Sequence, residues 1–179
     1  MKPVELRISG WGPYKELQTI DFTRMEERGL FLITGATGAG KTTIFDAIMY
    51  ALYDTGSGRD RNGRNLRSDY ADEQTETYVE MVFRSAGKEY SIRRSPAQRL
   101  RGNKTDTPAK VTLKMPDGKV VTRAGEVASM MEKDVIGVNA EQFSQIVMIA
   151  QGEFRKLIQA KTSDRKEILR QIFKTAPYE

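Results

Sequence analysis

An α/β fold is predicted by three adjoining observations. The short apolar run Gly29-Leu30-Phe31-Leu32-Ile33-Thr34 reads as a buried strand. It runs directly into Gly35-Ala36-Thr37-Gly38-Ala39-Gly40-Lys41-Thr42, which meets G-x-x-x-x-G-K-[ST] at every required position. From Thr42 to Tyr53, Ile44, Phe45, Ile48, Met49 and Leu52 recur at helical spacing. Strand, glycine turn and helix, in that order, separate this motif from a glycine-rich turn that merely caps a helix.

The residue types suit a nucleoside triphosphate. Glycines at 35, 38 and 40 lift the Cβ penalty on positive φ, so successive N–H groups can turn inward around an anion. A helix starting near Lys41 adds its positive dipole end and unpaired N–H groups at the same point. Lys41 offers a point charge to the β- and γ-phosphates, and the Thr42 hydroxyl suits a magnesium shell, with Thr43 offering a second hydroxyl. ATP and Mg2+ are the ligands this chemistry calls for.

The other elements follow from periodicity and turn chemistry. Val4, Leu6 and Ile8 alternate with Glu5, Arg7 and Ser9, and Gly10-Trp11-Gly12-Pro13 turns the chain toward a second strand through Leu17, Thr19 and Ile20-Asp21-Phe22. Together they predict a β-ribbon, with Trp11 packed at its turn or, as the minor alternative, against a nucleobase. After the helix, Asp54 to Ala71 is a polar loop rich in Gly, Arg, Asn and Ser. Strands are predicted at Thr77 to Phe83 and Glu89 to Arg93. Pro116-Asp117-Gly118 reads as a hairpin turn between Val111–Met115 and Lys119–Thr122. Helical pattern covers Gly125 to Val135, an Asn139-capped segment through Ser144, and Asp164 to Lys174. In the last, Asp164 and Glu167 stand at capping-box spacing, and Ile168, Leu169, Ile172 and Phe173 share a face.

Composition narrows the chemistry. A chain of 179 residues suffices for one domain with its own core. No long apolar run is present, so neither a membrane span nor a secretory signal is expected. With no cysteine and no histidine, thiolate and imidazole chemistry are excluded, leaving carboxylate, amide, hydroxyl and lysine groups. Lys and Arg exceed Asp and Glu by 29 − 24 = 5, an excess compatible with nucleic acid without being diagnostic of it. The eight methionines are scattered and suit gap-filling in a core.

The nucleotide site reads as half built. A P-loop ATPase needs a second apolar strand ending in an acid, to anchor magnesium and polarise water. The late apolar run Ile146-Val147-Met148-Ile149-Ala150 ends instead in Gln151-Gly152-Glu153, and no Ser-Gly-Gly stretch is present to close over a γ-phosphate.

The segments GATGAGKTTIFDAIMYALY, LRSDYA, FSQIVMIAQGEFRKLIQA and DRKEILRQIFKTAPY resemble, over essentially the whole chain, the amino-terminal ATPase segment of the SbcC family. These are bacterial double-strand-break-repair ATPases related to SMC and ABC ATPases. Asp46-Ala47 and Gln151-Gly152-Glu153-Phe154 carry the likeness more specifically than the P-loop does. The resemblance implies an ABC-type head lobe over residues 1–179: an antiparallel β-ribbon subdomain, a mixed sheet around the P-loop helix, a Q-loop near 151, and a helix over 164–175 leading to a coiled coil. Such a lobe is incomplete without a carboxy-terminal half that brings the signature motif, acidic strand and switch histidine.

By the same resemblance Gln151 is the Q-loop glutamine. Its amide oxygen would share the magnesium ion with Thr42, a role that a neutral amide can fill. Lys41 and Gln151 are then the catalytic pair, and Arg67 and Ser68 approach base and ribose. Arg59, Arg61 and Arg64 fall in the same loop, where a solvated role is as good a reading. Lys88, Arg93, Arg94, Arg99, Arg101 and Lys104 form a denser basic cluster that the resemblance places along bound double-stranded DNA, against the plainer reading of a solvated basic face. The implied partners are the carboxy-terminal half, a second head in an ATP-dependent dimer, and an SbcD-type nuclease, in a cytoplasmic, nucleoid-associated setting with no membrane. The implied activity is ATP hydrolysis coupled to processing of DNA ends and hairpins, with the chain alone inactive. The alternatives are a condensin-like or gap-repair ATPase, a small-substrate kinase, and a nucleotide- and DNA-binding module without turnover.

Overall fold

A computed structural model describes residues 1–24, 31–56, 66–99 and 105–147. The chain divides into two compact units, Met1–Gly137 and Val138–Glu179. In the first unit lie strands β1 (Lys2–Ser9), β2 (Gln18–Asp21), β3 (Tyr78–Ser85), β4 (Lys88–Ser95), β5 (Lys110–Lys114) and β6 (Val120–Val121). They make one six-stranded sheet in the order β2-β1-β3-β4-β5-β6. Helix α1 (Lys41–Tyr53) packs on β3 and β4, and α2 (Ala124–Met130) packs on β5. A π-helical turn, Met131–Val135, continues α2.

Alternation with period two builds the core. Leu6 pairs Met81, Met81 pairs Ile92, Ile92 pairs Leu113, and Leu113 pairs Val121, so one buried apolar row crosses five strands. The neighbouring rows on that face hold Ile8, Val79 and Val111, and Phe83 with Tyr90 stacked at 5.5 Å. The opposite face carries Arg7, Glu80, Arg93 and Thr112 in register. The predicted ribbon is therefore present, and β1 also pairs with β3 on its far side. The Pro116-Asp117-Gly118 turn joins β5 to β6 as expected, with Gly118 N–H on the Met115 carbonyl at 3.0 Å.

Several expectations are corrected. Every strand pair among the described residues is antiparallel, so the mixed sheet around the P-loop helix is not found there. The described part of the run before the P-loop, Phe31 to Thr34, forms no strand, and Phe31 and Leu32 are 47% and 84% exposed. Apolar character alone does not make a strand; a neighbouring backbone has to supply the ladder. On α1, Phe45 is exposed and Ile48 half-buried, whereas Ala47, Tyr50 and Ala51 are buried. Contact with the sheet thus shifts the buried face from the one expected. The second helix starts at Ala124 and changes to π geometry at Met131.

In the second unit, α3 spans Ala140–Val147. Asn139 caps it as expected: Gln142 N–H donates to Asn139 Oδ1 at 2.9 Å, and Asn139 N–H donates to Gln142 Oε1 at 3.1 Å, a reciprocal capping box. The helix predicted over 164–175 lies outside the described residues.

Candidate nucleotide site

Glycine geometry shapes the loop from Gly35 to Thr42. Gly38 and Gly40 hold φ of +85° and +90°, conformations in which an L side chain is strained. Ala39 N–H donates to the Ala36 carbonyl at 3.2 Å and closes the turn. The Lys41 ammonium folds back across the loop and donates to the carbonyls of Gly35 and Ala36 at 2.8 and 2.7 Å. Its charge is thereby held over the exposed stretch Gly35 to Ala39.

Helix α1 begins at Lys41 itself. Its N-cap is Gly40, with no capping side chain, and its first turn holds no acidic residue. The unpaired N–H groups and the positive dipole end therefore act next to the glycine loop without local neutralisation. Thr42 is exposed and Thr43 half-buried. These features fit a polyphosphate with a hard cation: inward-capable N–H groups, one ammonium on a long stem and one accessible hydroxyl. Gln151, expected to share the cation, lies outside the described residues.

Arg67 and Ser68 are placed differently from a simple pair of ligand contacts. The Arg67 guanidinium donates to the Thr75 and Asp72 carbonyls at 2.7 and 2.9 Å and to Thr77 Oγ1 at 2.6 Å. Thr77 Oγ1 in turn donates to the Gly10 carbonyl at 3.1 Å, and buried Ser68 donates its N–H to the same carbonyl at 2.8 Å. Both residues tie the 66–77 segment to the β1 turn. Trp11 is fully buried with its ring 4.6 Å from that of Tyr50, so its packing partner lies within the protein. Burial holds the Tyr50 phenol above its ordinary pKa, the nearby Asp54 carboxylate adding to the effect.

The basic cluster separates by face. Arg94 belongs to the buried row with Ile8, Val79 and Val111 and is 3% exposed, which removes it from the expected DNA-contacting set. Its Nε donates to the Ala51 carbonyl at 2.8 Å, supplying a cation to the last turn of α1, which has no basic residue of its own. Burial lowers its pKa, and Asp54, 3.8 Å away, works against that shift.

Arg93 faces the other side, 3.6 Å over the Tyr78 ring and paired with Glu76 and Glu80. Lys88 and Arg99 are exposed. Arg59, Arg61, Arg64, Arg101 and Lys104 lie outside the described residues. A cavity of about 240 Å³, lined by Asp54, Arg94, Lys110 and Thr122 among others, opens at the far end of α1 and includes no P-loop residue.

Sequence reasoning missed Tyr14, whose hydroxyl donates to the Gly40 carbonyl at 3.0 Å. The available signal was a phenol directly after a Gly-Pro turn; its partner, 26 positions away, was not legible.

The glycine loop and the uncapped helix start that follows it have the features of a phosphate-binding P-loop. A family model described as AAA domain matches residues 5–179, and the chain belongs to that family. It is also similar to the SbcC component of the SbcCD nuclease of Vibrio cholerae serotype O1, 36% identical over 185 residues that cover 99% of this chain. The proteins of the same name from Staphylococcus saprophyticus and Staphylococcus epidermidis are 36% and 37% identical over 182 residues, covering all of this chain. The chain spans 18% of the length of each of these relatives. The expected resemblance to the SbcC ATPase segment is borne out. Among the described residues, no helix is long and apolar enough to cross a membrane.

Proposed function

We propose that the chain is the ATP-binding amino-terminal lobe of an SbcC-type DNA-repair ATPase head. The observation that carries this reading is the Lys41 ammonium held over the Gly35 and Ala36 carbonyls at the uncapped start of α1. Lys41 and the first-turn N–H groups would hold the phosphates, while Thr42, with Gln151, would hold magnesium. Bound magnesium supplies charge neutralisation; the protein's share is positioning and electrostatic stabilisation, with no covalent step.

Arg67 and Ser68 would shape the rim of the nucleotide site from behind, through the β1 turn. A carboxy-terminal half would complete the head, and two heads would close on two nucleotides. The coiled coil would pass that closure to an SbcD-type nuclease acting on DNA ends and hairpins, in the cytoplasm and on the nucleoid. Arg93, Lys88 and Arg99, with Arg101 and Lys104, would meet DNA phosphates independently of sequence. The names of the relatives support the nuclease partnership.

MgATP titration by calorimetry tests the core of this reading. Lys41→Ala should weaken binding by roughly tenfold or more, as loss of a charge-assisted contact requires. An unchanged affinity in a folded variant would overturn it. Phosphate release is expected only once the carboxy-terminal half is added.

A further inference from the structure

We infer that the Gly10–Tyr14 turn is a clamp that sets the phosphate loop, with Tyr14 as its positioning residue; this rests on the proposed ATP site. Three contacts place the turn on the loop's exit. The Tyr14 hydroxyl donates to the Gly40 carbonyl at 3.0 Å. A Cβ on Gly40 would fall 2.7 Å from Pro13 Cγ and 2.7 Å from the Tyr14 hydroxyl, so these two side chains approach the Gly40 backbone as closely as glycine permits. A Cβ on Gly12 would fall 2.8 Å from the Thr43 methyl, so the turn also rests on the first turn of α1.

The turn has little freedom of its own. Trp11 N–H donates to the Tyr14 carbonyl and Tyr14 N–H to the Trp11 carbonyl, both at 2.9 Å. Gly12 N–H donates to the Leu66 carbonyl at 2.9 Å, and the Trp11 ring lies against Tyr50 of α1. The Tyr14 phenol is protonated, and so a donor, at neutral pH, and burial raises its pKa further.

The consequence is geometric. In a trans peptide the carbonyl and the following N–H point in opposite directions within one plane. Fixing the Gly40 carbonyl from the Tyr14 side therefore fixes the Lys41 N–H on the other side, among the helix-start donors available to a phosphate. As N-cap, Gly40 also gives this carbonyl to the first intrahelical hydrogen bond of α1, so the hydroxyl is its second partner. Without the hydroxyl, the peptide is held from the helix side alone and turns more freely about the Gly40 ψ and the Lys41 φ. The anion-binding geometry is then less firmly preset.

Titration of the full chain with MgATP and with tripolyphosphate, alongside urea unfolding, tests the inference. Tyr14→Phe keeps the ring and should lower both affinities about three- to tenfold, the usual range for one hydrogen bond, with little change in unfolding midpoint. Phe83→Leu, in the sheet core away from the turn, should do the reverse, lowering the midpoint while sparing both affinities. Tyr14→Phe binding both ligands like the unaltered chain, while Lys41→Ala fails to bind, overturns the clamp and leaves the ATP site standing. A loss confined to MgATP, or one that Phe83→Leu reproduces in step with its fall in stability, also overturns it. If Lys41→Ala binds normally, the ATP site itself is wrong.

Discussion

Two apolar stretches of this chain have opposite fates. Strand β3 alternates Val79, Met81 and Phe83 into the core, each fully buried, and has antiparallel neighbours on both sides. Phe31-Leu32-Ile33 is just as apolar, yet Leu32 is among the most exposed large hydrophobic residues described. Phe31 makes an aromatic contact with Phe22, ring centroids 6.0 Å apart. The difference lies in the partner: β3 has two flanking backbones to pair with, and among the described residues the other run has none.

Hydrogen exchange gives the largest expected contrast. Amides of β3 should be protected by roughly a thousandfold or more, as global stability dictates, while Phe31 to Thr34 exchange near the free-chain rate. If the proposed carboxy-terminal half pairs with this run, adding it should protect the second set. If those amides are already protected in the chain alone, the contrast between the two stretches collapses.

Truncation sharpens it on the energy scale. Phe83→Ala should cost about 3–5 kcal/mol in urea unfolding, because a buried ring is lost and a cavity left. Leu32→Ala should stay within about 0.5 kcal/mol, as for an exposed site. Equal costs would mean that Leu32 is packed after all.

A smaller effect distinguishes the two neighbouring arginines. Arg94→Ala should destabilise by about 1–3 kcal/mol, since it uncaps the Ala51 carbonyl and empties a buried site. Arg93→Ala should cost less than about 1 kcal/mol, because its ion pairs are solvent-exposed. If the outer face carries DNA, only Arg93→Ala should lower the salt dependence of DNA binding without unfolding the protein. The reverse pattern would exchange the two assignments.

Much of the local structure was legible. Alternation in Val4 to Ile8 and in Val79 to Phe83 identified strands, Pro116-Asp117-Gly118 identified a hairpin, and Asn139 identified a helix start, because each signal sits within a few residues of what it controls. The glycine turn before α1 was legible for the same reason: its conformation is carried by contiguous backbone. Arg94 was not. Its charge suggested a surface, but the pairing of β4 between β3 and β5 turned it toward the core, and only the end of α1 explains how its charge is tolerated. The role of Arg67 escaped likewise, since its acceptors at Asp72, Thr75 and Thr77 become neighbours only after the loop has folded.

By itself, then, the amino-acid order determined the period of each element, the places where the chain turns, and the loop whose N–H groups and lysine suit a triphosphate. Those properties are local, and sterics with nearest-neighbour hydrogen bonding decide them. The tertiary structure alone decided which strands lie side by side, which of two adjacent arginines is buried, that one apolar run has no strand partner among the described residues, and that Tyr14 reaches Gly40. Each of these depends on segments far apart in sequence being brought together, and their meeting is governed by burial and pairing across the whole sheet.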